Sequence, residues 1–368
     1  MEQRIIRPAG DCRELDAWIR ETGAGSLLLV CGASIRRLRL GAYFDSLEAR
    51  TGVRVVRFSG FRPNPLYEEA VRAVEAFRAG GCGAIAAVGG GSAMDVGKCV
   101  KLWAELDLSR PCLEQEIVPN GIPLLAAPTT AGTGSEATRY AVVYYRGEKQ
   151  SVAHESAIPS AALLDPTALE SLPPYHRKSS MLDALCHGIE SFWSVRATEE
   201  SRALSRRAIR AVWEHLDGYL AGTPAGNAGM LEAANLAGRA IDLAQTTAGH
   251  AMCYKLTTLY GVAHGHAAAL CVSALWPFMA ERAAGGPLEA VLRSLAEAMG
   301  RETVPASIAG FRELLDRLDL GVPAAEPGDF EILRTSVNPV RLKNNPVPLG
   351  TEDMDLLYHQ ILSKEAAR

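Results

Sequence analysis

The chain has 368 residues, 48% of them hydrophobic, and a formal net charge of −4. That length suits two domains with sizeable cores, and the charge argues against a protein devoted to nucleic acid or anionic membranes. Eight cysteines lie scattered, mostly in apolar runs, without a CxxC pair; they support neither a cysteine zinc site nor a disulfide framework and predict reduced, buried thiols in a cytoplasmic protein.

The opening stretch MEQRIIRPAGDCRELD carries no apolar signal core. SLLLVCG then reads as a strand, IRRLRLGAYFDSLEAR as a helix, VRVVRFS as a strand and PLYEEAVRAVEAFRAG as an amphipathic helix. AIAAVGGGS gives a strand and turn, AMDVGKCVKLWAEL a helix, and IPLLAAP and YAVVYY further strands. Near-continuous apolar strands alternating with helices predict a parallel sheet covered on both faces. From LLDPTALESLPPYH onward, long helical stretches take over. The expected division is an α/β domain over 1–162 and an all-α domain over 163–368. The run AAALCVSALWPFMA is too short to span a bilayer.

Two loops in the first half suit a nucleotide. AIAAVGGGSAMDVGK, residues 84–98, places glycines between a strand and a helix start, where free N–H groups favour a phosphate. It is neither a Walker loop, since Ser92 replaces the upstream glycine, nor GxGxxG, since Met94 replaces the last one; a plain turn remains an alternative. PTTAGTGSEAT, residues 128–138, offers Thr129, Thr130, Thr133 and Ser135 among glycines, although a polar loop with an ordinary helix cap fits equally. Two such loops at parallel strand ends favour a dinucleotide in the crevice. The first strand ends in Gly32, Ala33, Ser34, Ile35, Arg36 and Arg37, with no carboxylate to accept from a ribose 2′-hydroxyl. Room at Gly32, a donor at Ser34 and the arginines favour NADPH over NADH; the arginines also fit plain solvated helix charges.

The second half concentrates imidazoles. In MLDALCHGIESFW, Asp183 and His187 are four apart and share a helix face. A local acid–imidazole pair is one reading. His250 and His264, in AGHAMCYKLTTLYGVAHGHA, are fourteen residues apart; on one unbroken helix they would stand roughly 21 Å apart. The long alanine-rich run GMLEAANLAGRAIDLAQTTAGHAMCYKL reads as continuous helix, and Gly261 and Gly265 supply a place to turn after it. With that turn, one carboxylate and three imidazoles suit Fe2+ or Zn2+ and match calcium or magnesium poorly. Glu190 and His266 are candidates to orient ligands, or ordinary polar residues.

GGGSAMDVGK, PTTAGTGSEAT, LLDP, DALCHGIE and the GH…AHGH region, in this order across most of the chain, resemble the iron-containing (group III) alcohol dehydrogenases. The resemblance implies an N-terminal dinucleotide-binding α/β domain, an all-helical C-terminal domain, an active site in the cleft between them, and a homodimer. It implies metal ligands at Asp183, His187, His250 and His264. It implies cofactor contacts at Asn64, Gly90, Gly91, Ser92, Asp95, Thr129, Thr130, Thr133, Lys149 and Leu169. The family often carries a histidine four residues after the third ligand; here that position is Tyr254, whose phenol becomes the candidate proton relay. GHAMCYKLTTLYGVAHGHA, IESFWSVRATEES and NPVRLKNNPVPL further resemble a subgroup, the phosphonoacetaldehyde reductases. That implies reduction of an aldehyde with a dianionic head, which needs cations; the candidates are Arg139, Lys255, Arg341 and Lys343. A general short-chain alcohol or aldehyde dehydrogenase and a dehydroquinate synthase-like NAD- and metal-dependent lyase are the alternatives.

Overall fold

A computed structural model describes residues 3–362 and divides into two compact units, 1–172 and 173–368. The first unit holds a six-stranded sheet of β1 (Arg4–Ile6), β2 (Ser26–Cys31), β3 (Arg54–Phe58), β4 (Ala84–Gly89), β5 (Leu124–Pro128) and, after a hairpin, β8 (Ala161–Leu163). Every pairing in it is parallel, in the order β1-β8-β5-β4-β2-β3. The strands read as unbroken apolar runs because both faces are buried. Leu28, Val30, Ile85 and Ala87 pack on one side, with residues of helices Tyr67–Ala79 and Gly91–Trp103. Leu27, Leu29, Ala84, Ala86 and Val88 pack on the other, with Leu15, Trp18 and Ile19 of helix Glu14–Glu21.

The chain leaves β2 for β3 on one side and returns to β4 on the other. The strand order therefore reverses at β2 and β4, the position where open α/β sheets leave a crevice beyond their carboxyl ends. Gly32 and Gly90 follow those two strands directly or within one residue.

Local differences from the sequence expectation have physical causes. YAVVYY is β6 (Tyr140–Tyr145), but it pairs antiparallel with β7 (Glu148–Ala153) in a separate hairpin. The stretch after β2 is not one helix but a 3-10 turn, Ala33–Arg37, and two short helices, Arg39–Asp45 and Leu47–Thr51. The units divide ten residues later than the expected 162/163, because β8 straddles that point and is paired with β5 and β1.

Among the described residues of the second unit, every regular element is a helix. Its helices start where the chemistry favours a start: Pro174, Pro224 and Pro287 are first residues, and Thr198, Thr223 and Thr303 hydroxyls accept the N–H groups of Ser201, Gly226 and Ala306. The alanine-rich run is two helices, Pro224–Ala244 and Ala248–Tyr260. They break at Gln245, a non-glycine residue at φ 60. The second ends at Gly261, φ 68, and helix His264–Arg282 follows. No helix among the described residues is long and apolar enough to cross a membrane.

Candidate metal centre and cofactor loops

Asp183 and His187 lie on one face of helix Pro174–Trp193, as i,i+4 spacing requires. The turn at Gly261 brings His250, in the helix before it, and His264, first in the helix after it, toward the same place. Ligand atoms of Asp183, His187 and His250 all lie within 4.8 Å of one another, and the three residues are buried. Asp183 Oδ1 is 3.4 Å from His250 Nε2 and 3.8 Å from His187 Nε2. The rings of His187 and His250 stack at 4.6 Å, and the His264 ring centroid is 5.3 Å from that of His250. His264 therefore stands beside the tight triad rather than within it. One carboxylate and several imidazoles held this close are a donor set for zinc or ferrous iron.

Glycine at 265 is a packing requirement. A Cβ there would sit 2.0 Å from the Ser179 carbonyl oxygen and 2.6 Å from Asp183 Cβ. Only a bare Cα lets the His264 helix start against the helix carrying Asp183. The turn is also clipped: Tyr175 Oη accepts the Ala263 N–H at 2.8 Å and lies 3.2 Å from His266 Nδ1, while His266 Nε2 reaches the Gly321 carbonyl at 3.0 Å. His266 thus braces the loop before His264.

Behind the triad stands Glu190, fully buried. Its Oε2 accepts from His250 Nδ1, which fixes the tautomer and turns Nε2 toward Asp183. Its Oε1 accepts from Thr247 N at 2.9 Å, Thr247 Oγ1 at 2.7 Å and His250 N at 3.2 Å. Trp193 Nε1 donates to the same threonine hydroxyl at 2.9 Å. Burial alone would raise the Asp183 pKa, but the His187, His250 and His264 imidazoles outweigh it and hold the carboxyl below its usual range. Burial opposes the His250 imidazolium, yet Glu190 and Asp183 push its pKa up to about 9. The centre is thus electrostatically primed for positive charge.

Tyr254 stacks on His264, with ring centroids 5.4 Å apart and planes 16° from parallel. Its hydroxyl accepts from Arg341 Nη1 at 2.7 Å, and the guanidinium lies over the ring, 4.9 Å from its centroid. Burial pushes the phenol pKa up, the Arg341 cation opposing it. Of the expected cations, Arg341 is the one the geometry ties to this cluster. Lys255 is half-buried on the same helix and Lys343 is exposed. Arg139 belongs to the other unit and pairs with Glu155 at 3.2 Å.

In the first unit the two expected loops meet. A Cβ on Gly91 would lie 3.2 Å from Thr133 Cγ2, and one on Gly90 would lie 3.7 Å from Thr130. Thr129 N donates to the Gly89 carbonyl at 2.9 Å. Asn64, exposed and at φ 56, donates its backbone N–H to Ser92 Oγ at 3.1 Å. Asp95 accepts from Ser135 Oγ at 3.3 Å, and burial raises its pKa to about 6 against the pull of Lys98 and Lys149. Gly32 and Ser34 are half-buried at the end of β2, with Arg36 and Arg37 exposed beyond them. Leu169 is wholly buried.

Lys98 was not expected to matter. It is completely buried, and its Nζ donates to Ser135 Oγ at 3.0 Å, Thr138 Oγ1 at 3.0 Å and the Tyr140 carbonyl at 2.7 Å. It pins the hydroxyl loop from beneath. Its sequence signal was slight: one of two lysines, with Lys101, in the largely apolar stretch GKCVKLW.

Residues 2–166 match the family described as iron-containing alcohol dehydrogenase, and residues 178–362 match its C-terminal family. Among characterised proteins, a phosphonoacetaldehyde reductase of Streptomyces viridochromogenes is 35% identical over 243 residues, 60% of this chain. The chain spans 62% of that relative's length. A 1,3-propanediol dehydrogenase of Citrobacter freundii is 31% identical over 82% of this chain and 80% of its own. Among solved structures, the sulfoacetaldehyde reductase of Bifidobacterium kashiwanohense in complex with NAD+ superposes with a TM-score of 0.87, at 26% identity, over 98% of this chain and 97% of that one.

Proposed function

The chain belongs to the iron-containing alcohol dehydrogenase family, and from that premise we propose that it reduces a small aldehyde with an anionic head to the primary alcohol, phosphonoacetaldehyde to 2-hydroxyethylphosphonate being the best fit. The single observation that carries this is the Arg341 guanidinium lying on Tyr254, one ring away from a compact Asp183–His187–His250 cluster. Two similar proteins support it, since both are named for acetaldehydes that bear a phosphonate or sulfonate.

A bound Fe2+ or Zn2+ supplies Lewis acidity for a carbonyl, and a reduced nicotinamide supplies the hydride. Asp183, His187 and His250 would hold the cation, with His264 beside them as the fourth candidate, and Glu190 would keep His250 in the ligating tautomer. Arg341 binds the anionic head through a charge-assisted pair. The raised pKa of Tyr254 keeps its phenol protonated. Arg341 occupies one lone pair of Oη, so the O–H itself is available to donate a proton toward the product oxygen.

In the first unit, Gly90, Gly91, Ser92, Thr129, Thr130 and Thr133 line the contact of the two loops and take the cofactor's phosphates and ribose, with Asn64, Asp95, Lys149 and Leu169 around them. NADPH fits the end of β2 better than NADH. A Cβ at Gly32 would meet nothing within 4 Å, and no carboxylate stands among Gly32 to Arg37 to repel a 2′-phosphate. All eight cysteines are buried and unpaired with one another, as a reducing cytoplasm favours.

An aldehyde panel with NADPH and NADH, followed at the nicotinamide absorbance, tests the reading. Phosphonoacetaldehyde is expected to exceed acetaldehyde in kcat/KM by about 100-fold, as one buried charged hydrogen-bonded pair permits. Equal rates would remove the anionic substrate and leave the general family activity.

A further inference from the structure

Arg341 sits in the four-residue helical turn Pro339–Leu342, and among the described residues it makes no ion pair with a carboxylate. Something must hold so short a turn, and the charge on it, at a fixed distance from the cluster. The next residue but two is Asn344, which is buried. Its Oδ1 accepts from Ser194 Oγ at 2.9 Å and from Arg196 N at 3.2 Å. Its Nδ2 donates to the carbonyls of Ala244 and Thr246, each at 2.9 Å. Its own carbonyl accepts the Val195 N–H at 3.1 Å. Every donor and acceptor of the amide is used.

The partners are not a random set. Ser194 directly follows the helix that carries Asp183 and His187. Ala244 to Thr246 form the break that aims the helix carrying His250, with Gln245 held at φ 60 between the two carbonyls. One buried side chain thus joins the Arg341 turn to the ends of the two segments that present Asp183, His187 and His250. We infer that Asn344 is a positioning residue for substrate recognition, fixing the span between the Arg341 guanidinium and the Asp183–His187–His250 cluster and so the length of anionic aldehyde accepted. This rests on the anionic-substrate reading above.

The test is a double-mutant cycle in the full-length, metal-loaded protein. R341A, N344A and R341A/N344A are compared for kcat/KM with phosphonoacetaldehyde and with propionaldehyde, for metal content, and for methylphosphonate affinity by calorimetry. In N344A the loss is expected to fall on KM and to be about tenfold greater for the charged aldehyde than for the neutral one. Adding N344A to R341A is expected to cost little further methylphosphonate affinity, because residues acting through one group are not additive. Additive losses, equal losses with both aldehydes, or departure of the metal from N344A would each overturn the assignment. If N344A does not fold, S194A removes one partner only and should shift the same ratio in the same direction, less strongly; an unchanged ratio would overturn the assignment as well. Failure of the wild-type protein to prefer the charged aldehyde, with methylphosphonate binding still coupled through Arg341 and Asn344, would sink the substrate and leave the positioning role.

Discussion

The two units solve the problem of holding a reactive group in opposite ways. In the helical unit the polar groups are deep, close together and multiply bonded: Glu190 alone accepts from four donors on two residues, Thr247 N, Thr247 Oγ1, His250 N and His250 Nδ1. In the α/β unit most of the candidate contacts are backbone groups and small, half-buried side chains, met where Gly90 and Gly91 face Thr130 and Thr133 and where the Asn64 N–H reaches Ser92 Oγ. A resident cation needs charged donors, and charged donors survive burial only when paired and fully hydrogen-bonded. A nucleotide that comes and goes needs reachable amides and hydroxyls instead, and these ask for little scaffolding. Lys98, a buried cation under the hydroxyl loop, departs from that pattern.

The sharpest way to break this contrast is Asp183→Ala. Turnover is expected to fall by on the order of 10³-fold or more with loss of the metal, while NADPH binding, followed by nicotinamide fluorescence, survives. Loss of both together would mean that the units do not separate the two tasks. Glu190→Gln keeps an acceptor for the Thr247 and His250 amides but weakens the hold on His250 Nδ1. Metal affinity should drop about 10- to 100-fold, read by competition with a chelator, with the helix content unchanged. Ser92→Ala is the mildest. It removes the partner of the Asn64 N–H, and KM for NADPH should rise only a few-fold, as for one neutral hydrogen bond, with metal content untouched.

The two units also differed in how far they could be read from sequence. The strands of the sheet were plain because burial on both faces writes a continuous apolar run, and β1 and β8, three residues each, were too short to write one. Asp183 and His187 were legible as a pair from their spacing, Gly261 marked the turn between His250 and His264, and the family resemblance set all four together. The break at Gln245 was not, because nothing local demands it. It depends on Arg196, which reaches Gln245 Oε1 at 2.7 Å, and on Asn344, a hundred residues downstream of Ala244. Arg341 was one of four candidate cations until the fold brought it to Tyr254. Partners distant in the chain leave no periodicity, so the clasp that shapes the cluster was silent where the cluster itself was loud.

Glu190 has a second duty with a different kind of consequence. The helix that carries His250 begins at Ala248 without a side-chain cap of its own, and the two amides at its start are satisfied by this one acid from a neighbouring helix. Negative charge at that end also opposes the positive pole of the helix. A lineage abandoning the chemistry would therefore not be free to discard the carboxylate, since the helix start would fray with it. Finding that acid retained in a homologue whose ligand positions had drifted would speak for architecture alone, and says nothing about whether the homologue still turns over substrate.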